Sequence, residues 1–403
     1  MNAELSRKRY AILAAGILIQ LCAGIIYLWS VFKNPVSEHL GGWDATMTSS
    51  IMLVSFVGGL LFGGILMDRA GVRPACIAGS LVMSLGILLS AFVDSSAPYL
   101  LYATYGIMGG FGVGTIYTCT VSSIQKWFFD RRGFATGLMI FAFGFSLVVF
   151  APLARYLING FGISGTFMAL GLIFVVICTA ASTVIVNPPA DYATAPNKTA
   201  VLSAQKQYTT REMFRRPSFY LITLSLFFVL SAYFTLNPYF YSLGMDRGLS
   251  DEMATFGVMM TGVCSAAGRL AINWLSDKIS REASVLLVSV ISVGGAVAAI
   301  FAGEYLFIAS IAGIAFAFGG IAGISSTITA DHFGTKNMGS NYGFVMLGYA
   351  ASALVFMYIA KSMTGGGTGS FAIPLAISAV ACVASAACSL LLRTQTGDQP
   401  TQA

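Results

Sequence analysis

The chain has 403 residues, of which 57% are apolar and only 9% charged, with a formal charge of +6 and a mean hydropathy of +0.80. A soluble domain carries about 25% charged residues, so a soluble globular protein is excluded, and so is a disordered one, which would lack the apolar content. The polar length left between apolar runs is too small for a catalytic domain outside the membrane.

About twenty apolar residues span a bilayer as a helix, and the sequence holds twelve runs of that kind. The first six cover 10–32, 47–67, 74–93, 98–125, 133–157 and 165–186; the second six cover 218–243, 253–276, 283–302, 305–329, 339–362 and 370–392. They are too long for barrel strands, which need about ten alternating residues. Gly106, Gly110 and Gly114 fall on one face of the fourth run, as Gly59 and Gly63 do in the second, which predicts close helix packing in lipid. The connection between the sixth and seventh runs is polar and basic and contains Pro188, Pro189 and Pro196. The expected fold is therefore an all-α membrane protein: an N-terminal six-helix bundle over 1–187, a linker over 188–216, and a C-terminal six-helix bundle with a short tail over 217–403.

Arg7, Lys8 and Arg9 followed by an apolar stretch imitate a signal peptide, but the stretch is too long for a signal core and runs into Lys33-Asn34-Pro35. The first span is expected to be retained. The residue before Cys22 is leucine, where a lipid-anchor cleavage site wants a small one. The seven cysteines are odd in number and form no C-x-x-C, so neither a disulfide framework nor a metal site is expected.

Basic residues set the orientation. With the N-terminus inside, 17 of the 22 lysines and arginines fall on the cytoplasmic side and four on the other. Both termini are then cytoplasmic and the protein lies in the cell inner membrane. The charge is spread over short loops, so no nucleic-acid partner is expected.

One basic residue remains. Arg269 lies inside the eighth span, and no acidic side chain lies in any span to neutralise it. It precedes Asp277 by eight residues, which puts it about 12 Å inside a hydrocarbon core about 30 Å thick. A buried arginine costs several kcal/mol, and its planar fork matches a carboxylate through two hydrogen bonds. Arg269 is the expected substrate anchor; a structural brace bonded to carbonyls is the bland alternative. The same depth arithmetic puts Tyr117, Tyr349 and Phe316 near the midplane and Tyr27 and Leu28 in the outer half. Ser265 is one turn from Arg269. These seven form the candidate substrate site, with simple packing as the competing role for each except Arg269.

The two halves echo each other. Gly64-Ile-Leu-Met-Asp68-Arg69-Ala-Gly71-Val-Arg73 follows the second span, and Asn273-Trp-Leu-Ser-Asp277-Lys278-Ile-Ser-Arg281 follows the eighth. A repeated loop at matching places is a repeat signature, and six plus six helices is a transporter architecture with its site between halves near the midplane. Asp68, Arg69, Arg73, Arg131, Arg132 and Asp277 gather at span ends on the cytoplasmic side, where they are expected to form a gate. Asp68 is placed to accept from the free N–H groups that open the eleventh helix near Ser340-Asn341.

G-x-x-x-D-R-x-G-x-R resembles the signature loop of the major facilitator superfamily. Four segments resemble its oxalate/formate antiporter family: Tyr27-Leu-Trp-Ser-Val-Phe-Lys-Asn-Pro35, Gly112-Val-Gly-Thr-Ile-Tyr117, Lys126-Trp-Phe-Phe-Asp-Arg-Arg-Gly133 and Gly268-Arg269-Leu-Ala-Ile-Asn-Trp-Leu-Ser-Asp277. Asn341-Tyr342-Gly343 fits as well. That family is related to the proton-linked monocarboxylate transporters, whose eighth-span arginine matches Arg269. The resemblance implies two six-helix bundles built from inverted 3+3 repeats and secondary active transport of small organic anions.

The sequence departs from the dicarboxylate exchanger in one respect. The lysine expected in the eleventh span is missing, and Tyr349 stands at about its place. One buried cation suits one carboxylate, so lactate- or pyruvate-sized monocarboxylates are expected, with oxalate/formate exchange as the alternative. An acidic residue one turn before the arginine, present in the proton-linked relatives, is Ser265 here, and symport, exchange and uniport all stay open. An anion channel or sensor is a weaker reading. No histidine and no paired carboxylates lie in a span, so an enzyme is not expected; nor is a cofactor or metal. The expected partners are a small carboxylate, protons if transport is coupled to them, and membrane lipid, with the chain acting as a monomer.

Overall fold

The computed structural model describes residues 3–43, 45–189, 192, 207–364 and 370–397. Most of the central linker, with Lys198 and Lys206, lies outside the described residues. Among the described residues there are helices and turns and no strand.

The chain opens with α1 (Ala3–Ala23), a 3-10 turn (Gly24–Leu28) and α2 (Trp29–His39). Helix α1 begins before the apolar run does and carries the buried Arg9. The Arg9 guanidinium meets the Asp130 carboxylate at 2.5 Å and lies 3.8 Å over the Phe128 ring. Then come α3 (Thr46–Ala70) and α4 (Val72–Leu89), joined by Gly71 alone. At φ 96° and ψ 161° this residue occupies backbone space that is essentially reserved for glycine. That conformation explains the glycine of the D-R-x-G-x-R loop. A π-helical stretch (Tyr102–Gly109) leads into α5 (Gly110–Trp127), and α6 (Arg132–Val184) follows.

The 53 residues of α6 would run about 80 Å as one straight helix, far more than a bilayer core of about 30 Å. Helix α6 breaks at Gly162, where φ is 69° and ψ −177°. Among the described residues, the eleven helical stretches long and apolar enough to cross a membrane thus hold twelve crossings, as the hydropathy pattern predicts.

After α7 (Thr210–Met213), the seventh span comes in pieces: α8 (Pro217–Val229), α9 (Ser231–Leu236), a 3-10 turn (Asn237–Tyr239) and α10 (Phe240–Asp246). Pro238 lacks the N–H that a continuous helix needs. Helix α11 (Asp251–Ser276) is capped by Ser250, whose oxygen accepts from Met253 N at 3.3 Å. Helix α12 (Arg281–Phe301) is capped in the same way by Ser280. Next are α13 (Glu304–Phe333), α14 (Met338–Val345), α15 (Leu347–Met363) and α16 (Ala372–Gly397). The eleventh span is therefore interrupted at Met346.

The helices group into two compact units. The first comprises Met1–Ala135, Ala142–Thr210 and Phe333–Phe344; the second comprises Thr136–Phe141, Arg211–His332 and Val345–Ala403. In the first, α3 and α4 both pack on α5. In the second, α16 packs on α12 and α8 around Leu236, Phe240, Phe307 and Leu375. Buried hydroxyls pair across helices, as Ser225 and Ser289 do with Ser385, each at 3.0 Å. With no water in hydrocarbon, such pairing satisfies groups that would otherwise cost free energy.

Candidate substrate site

In the second unit, α11 and α13 approach backbone to backbone. A Cβ added at Gly319 would strike the Ser265 carbonyl, and one at Gly268 would strike the Phe316 carbonyl. Only glycine permits this crossing, and it places Arg269 at the closest approach of two helices. Arg269 is 3% exposed. Its Nη1 donates to the Ile140 carbonyl at 3.2 Å. One turn on, the Asn273 Nδ2 donates to the Arg269 carbonyl at 2.6 Å and to the Gly320 carbonyl at 3.3 Å. A guanidinium donor resting on a neutral carbonyl is an exchangeable contact: an anionic oxygen is the stronger acceptor.

Ser265 lies one turn before Arg269, and its Oγ is buried with no hydrogen-bond partner among the described residues. Tyr349 joins an aromatic group. Its ring stands edge-on to Phe234 at 5.2 Å and 6.3 Å from Phe318, and Phe318 stacks on Tyr233 at 3.7 Å with planes 12° apart. Phe316 is not in this group; its side chain is half-buried and its carbonyl faces Gly268.

In the first unit, Tyr27 and Leu28 ride on the 3-10 turn. Tyr27 and Tyr117 both stand edge-on to Phe143, each with ring centroids 5.3 Å apart, and Phe56 closes the group 5.8 Å from Tyr117. Leu28 is fully buried among the helices. The structure thus brings Tyr27 and Tyr117 together through Phe143, and Arg269 together with Ser265 and Asn273.

The residues expected at the gate separate into two arrangements. The Asp68 carboxylate accepts from Ser340 N at 2.8 Å and Ser340 Oγ at 2.7 Å, at the start of the eleventh helix where the sequence points. Gly64 and Gly339 make that possible, since a Cβ on either would strike the other's backbone. Lys126 lies within electrostatic reach of Asp68. Just beside this contact, Asn337 and Asn341 both donate to the Tyr208 carbonyl, at 3.0 and 3.1 Å, while Thr210 donates to Asn341 Oδ1 at 3.0 Å. The end of the linker is strapped to the start of the eleventh span. Arg69, Arg73 and Arg131 are exposed and make no ion pair among the described residues, whereas Arg132 is buried. Asp277 stands at the C-terminal end of α11. It pairs with Arg281 at 2.7 Å, which also meets Asp331 at 2.9 Å.

Sequence reasoning missed Asn273, Phe143, Phe234, Phe318, Lys126 and the Asn337–Asn341 pair. Asn273 carried a signal, a buried amide four residues after a buried arginine. The aromatic partners carried none, being lost among 30 phenylalanines.

The family model described as Major Facilitator Superfamily matches residues 12–271 and 232–402. The chain belongs to the major facilitator superfamily. The resemblance read from its loop motif is thereby borne out, and with it the all-α transporter fold. Among its superfamily relatives is the oxalate:formate antiporter of Oxalobacter formigenes, 28% identical over 91% of this chain and 85% of that one. The uncharacterized MFS-type transporter YhjX of Escherichia coli (strain K12) is 27% identical over 86% of each. Human monocarboxylate transporter 11 is 26% identical over 67% of this chain and 56% of its own length. The fold matches the crystal structure of the superfamily transporter FucP in the outward conformation, with a TM-score of 0.69 at 17% identity over 94% of this chain and 98% of that one.

Proposed function

We propose that this superfamily member is a secondary active transporter of small monocarboxylates, of lactate or pyruvate size, working by alternating access in the cell inner membrane as a monomer with both termini cytoplasmic. The observation that carries this reading is Arg269: a permanently charged fork, buried at a glycine-lined helix crossing, with one donor on a displaceable carbonyl. The incoming carboxylate takes the place of the Ile140 carbonyl and neutralises the guanidinium. Ser265, whose hydroxyl has no partner among the described residues, adds a neutral donor one turn away, and Tyr117, Tyr27 and Tyr349 supply amphipathic rings. The Asp68–Ser340 contact acts as a latch that must open and close in each cycle. The relatives named as monocarboxylate transporters support the substrate class.

A second reading is exchange of oxalate and formate, favoured by the relative of that name, which matches this chain over more of its length than the monocarboxylate transporters do. Uptake by the purified protein in liposomes, across labelled monocarboxylates and dicarboxylates with imposed pH and voltage gradients, decides between them. Saturable uptake with counterflow is the expected result. Currents without counterflow would make it a channel, and preferential oxalate–formate counterflow would promote the second reading.

A further inference from the structure

We propose that the groove between the start of α8 and the end of α16 is a binding site for one anionic phospholipid. The groove is open to the surroundings, offers about 430 Å³ and is lined by Arg215, Pro217, Tyr220, Leu221, Leu391 and Thr394. Both helices belong to the second unit and pack on each other.

The lining changes character along the groove. At the mouth sits Arg215, exposed, its guanidinium making no hydrogen bond or ion pair among the described residues. Tyr220 comes next, 52% exposed, an aromatic ring with a polar tip of the kind that settles at headgroup level. Leu221, half-buried, and Leu391, 55% exposed, continue the lining along helices apolar enough to cross the membrane. A cation above a tyrosine above an apolar channel has the polarity profile of a phospholipid: phosphate, glycerol and ester, acyl chain.

The occupant is fixed by two features. The apolar floor opens laterally onto hydrocarbon, where the only abundant molecules are lipids, so a soluble anion would leave it unfilled. The unpaired guanidinium selects a net negative headgroup over a zwitterionic one, because a zwitterion brings its own cation to the phosphate. The positive-inside count puts this end at the cytoplasmic leaflet, where anionic headgroups attract basic side chains by about 1 kcal/mol each. Arg269 does not line the groove, so a lipid here acts on the packing of the seventh span against the twelfth and not on the substrate anchor.

The test uses the full chain, purified in detergent and titrated with phosphatidylglycerol or with phosphatidylcholine of the same acyl chains. Bound lipid is counted by native mass spectrometry. One phosphatidylglycerol should bind at least about fivefold more tightly than phosphatidylcholine, and Arg215→Ala should remove that preference, about fivefold in affinity, without changing the phosphatidylcholine titration. Arg215→Lys should retain most of the preference, since a point charge suffices for a phosphate. Leu391→Ser, which keeps every charge, should weaken both lipids alike. Equal affinity for the two lipids, or a preference that survives Arg215→Ala, overturns the proposal. Full displacement of phosphatidylglycerol by inorganic phosphate also overturns it, because the groove would then hold a free anion.

Discussion

Asn273 holds the main chain of Arg269: its Nδ2 donates to the Arg269 carbonyl at 2.6 Å and reaches across to Gly320. The arginine is thereby fixed at its backbone while its head remains exchangeable. Asn273→Leu keeps the volume and removes both bonds. The purified variant should lose about 0.6–1.7 kcal/mol of stability, the range for side-chain hydrogen bonds between membrane helices, and its KM should rise. A melting temperature and KM equal to those of the parent would show that the amide positions nothing.

For the anchor itself, the shape of the head matters as much as its charge. Arg269→Lys keeps the cation and loses the fork. It should weaken substrate binding by roughly tenfold or more, equivalent to at least about 1.4 kcal/mol. Arg269→Gln transporting at near the parental rate and affinity would assign Arg269 to bracing alone.

Packing at the α11–α13 crossing gives an internal control within one helix. Gly319→Ala drives a methyl into the Ser265 carbonyl, whereas a Cβ at Gly313 meets nothing within 4 Å. Gly319→Ala should lower the melting temperature and abolish uptake, and Gly313→Ala should do neither. Equal tolerance of the two would mean that the helices separate at little cost.

These features differ in how far the sequence reveals them. The twelve crossings are legible because each is an apolar run of bilayer length. Arg269 is legible because a charge in such a run has no bland explanation of equal weight. Asp68 facing Ser340 is legible too, from an acid near the open N–H groups of a helix. What holds Arg269 in place is not: Ile140 contributes a carbonyl, which every residue possesses. The interruptions at Gly24–Leu28, Tyr102–Gly109 and Met346 are equally hidden. No proline marks them, and tertiary packing decides them. Phe316 and Phe318 show the same limit: depth arithmetic selects the former, while the ring that reaches Tyr233 and Tyr349 belongs to the latter.

At the cytoplasmic latch, Asp68→Asn retains an acceptor oxygen and deletes the charge that faces the helix terminus. The variant should insert normally, and a cysteine introduced on the cytoplasmic side of the pathway should change its rate of labelling. Unaltered labelling together with normal transport would leave Asp68 with a topological role only.

If Arg269 is the substrate anchor proposed above, charge selectivity follows. A monocarboxylate neutralises Arg269, whereas a dianion leaves a second carboxylate in a low-dielectric cavity, where an unpaired ion costs several kcal/mol. Competition assays at neutral pH should show at least about tenfold preference for lactate or pyruvate over oxalate, and Tyr349→Lys should shift it toward the dianion. Oxalate binding as tightly as lactate to the parent would return the exchanger reading to first place.

The bend at Gly162 has a consequence for biogenesis. Parity governs a multi-pass chain: each crossing decides on which side the next loop emerges. If an L-residue at 162 could not reach φ 69° and ψ −177°, Arg132–Val184 would be drawn toward one continuous rod. The chain would then count one crossing where it should count two, and every loop from 187 onward would be delivered to the wrong compartment, Arg211, Arg215 and Arg216 among them. A Gly162→Val chain should therefore fail by inversion of its second half, read out as a C-terminal tag on the opposite face of the membrane, and not by a loss of helix.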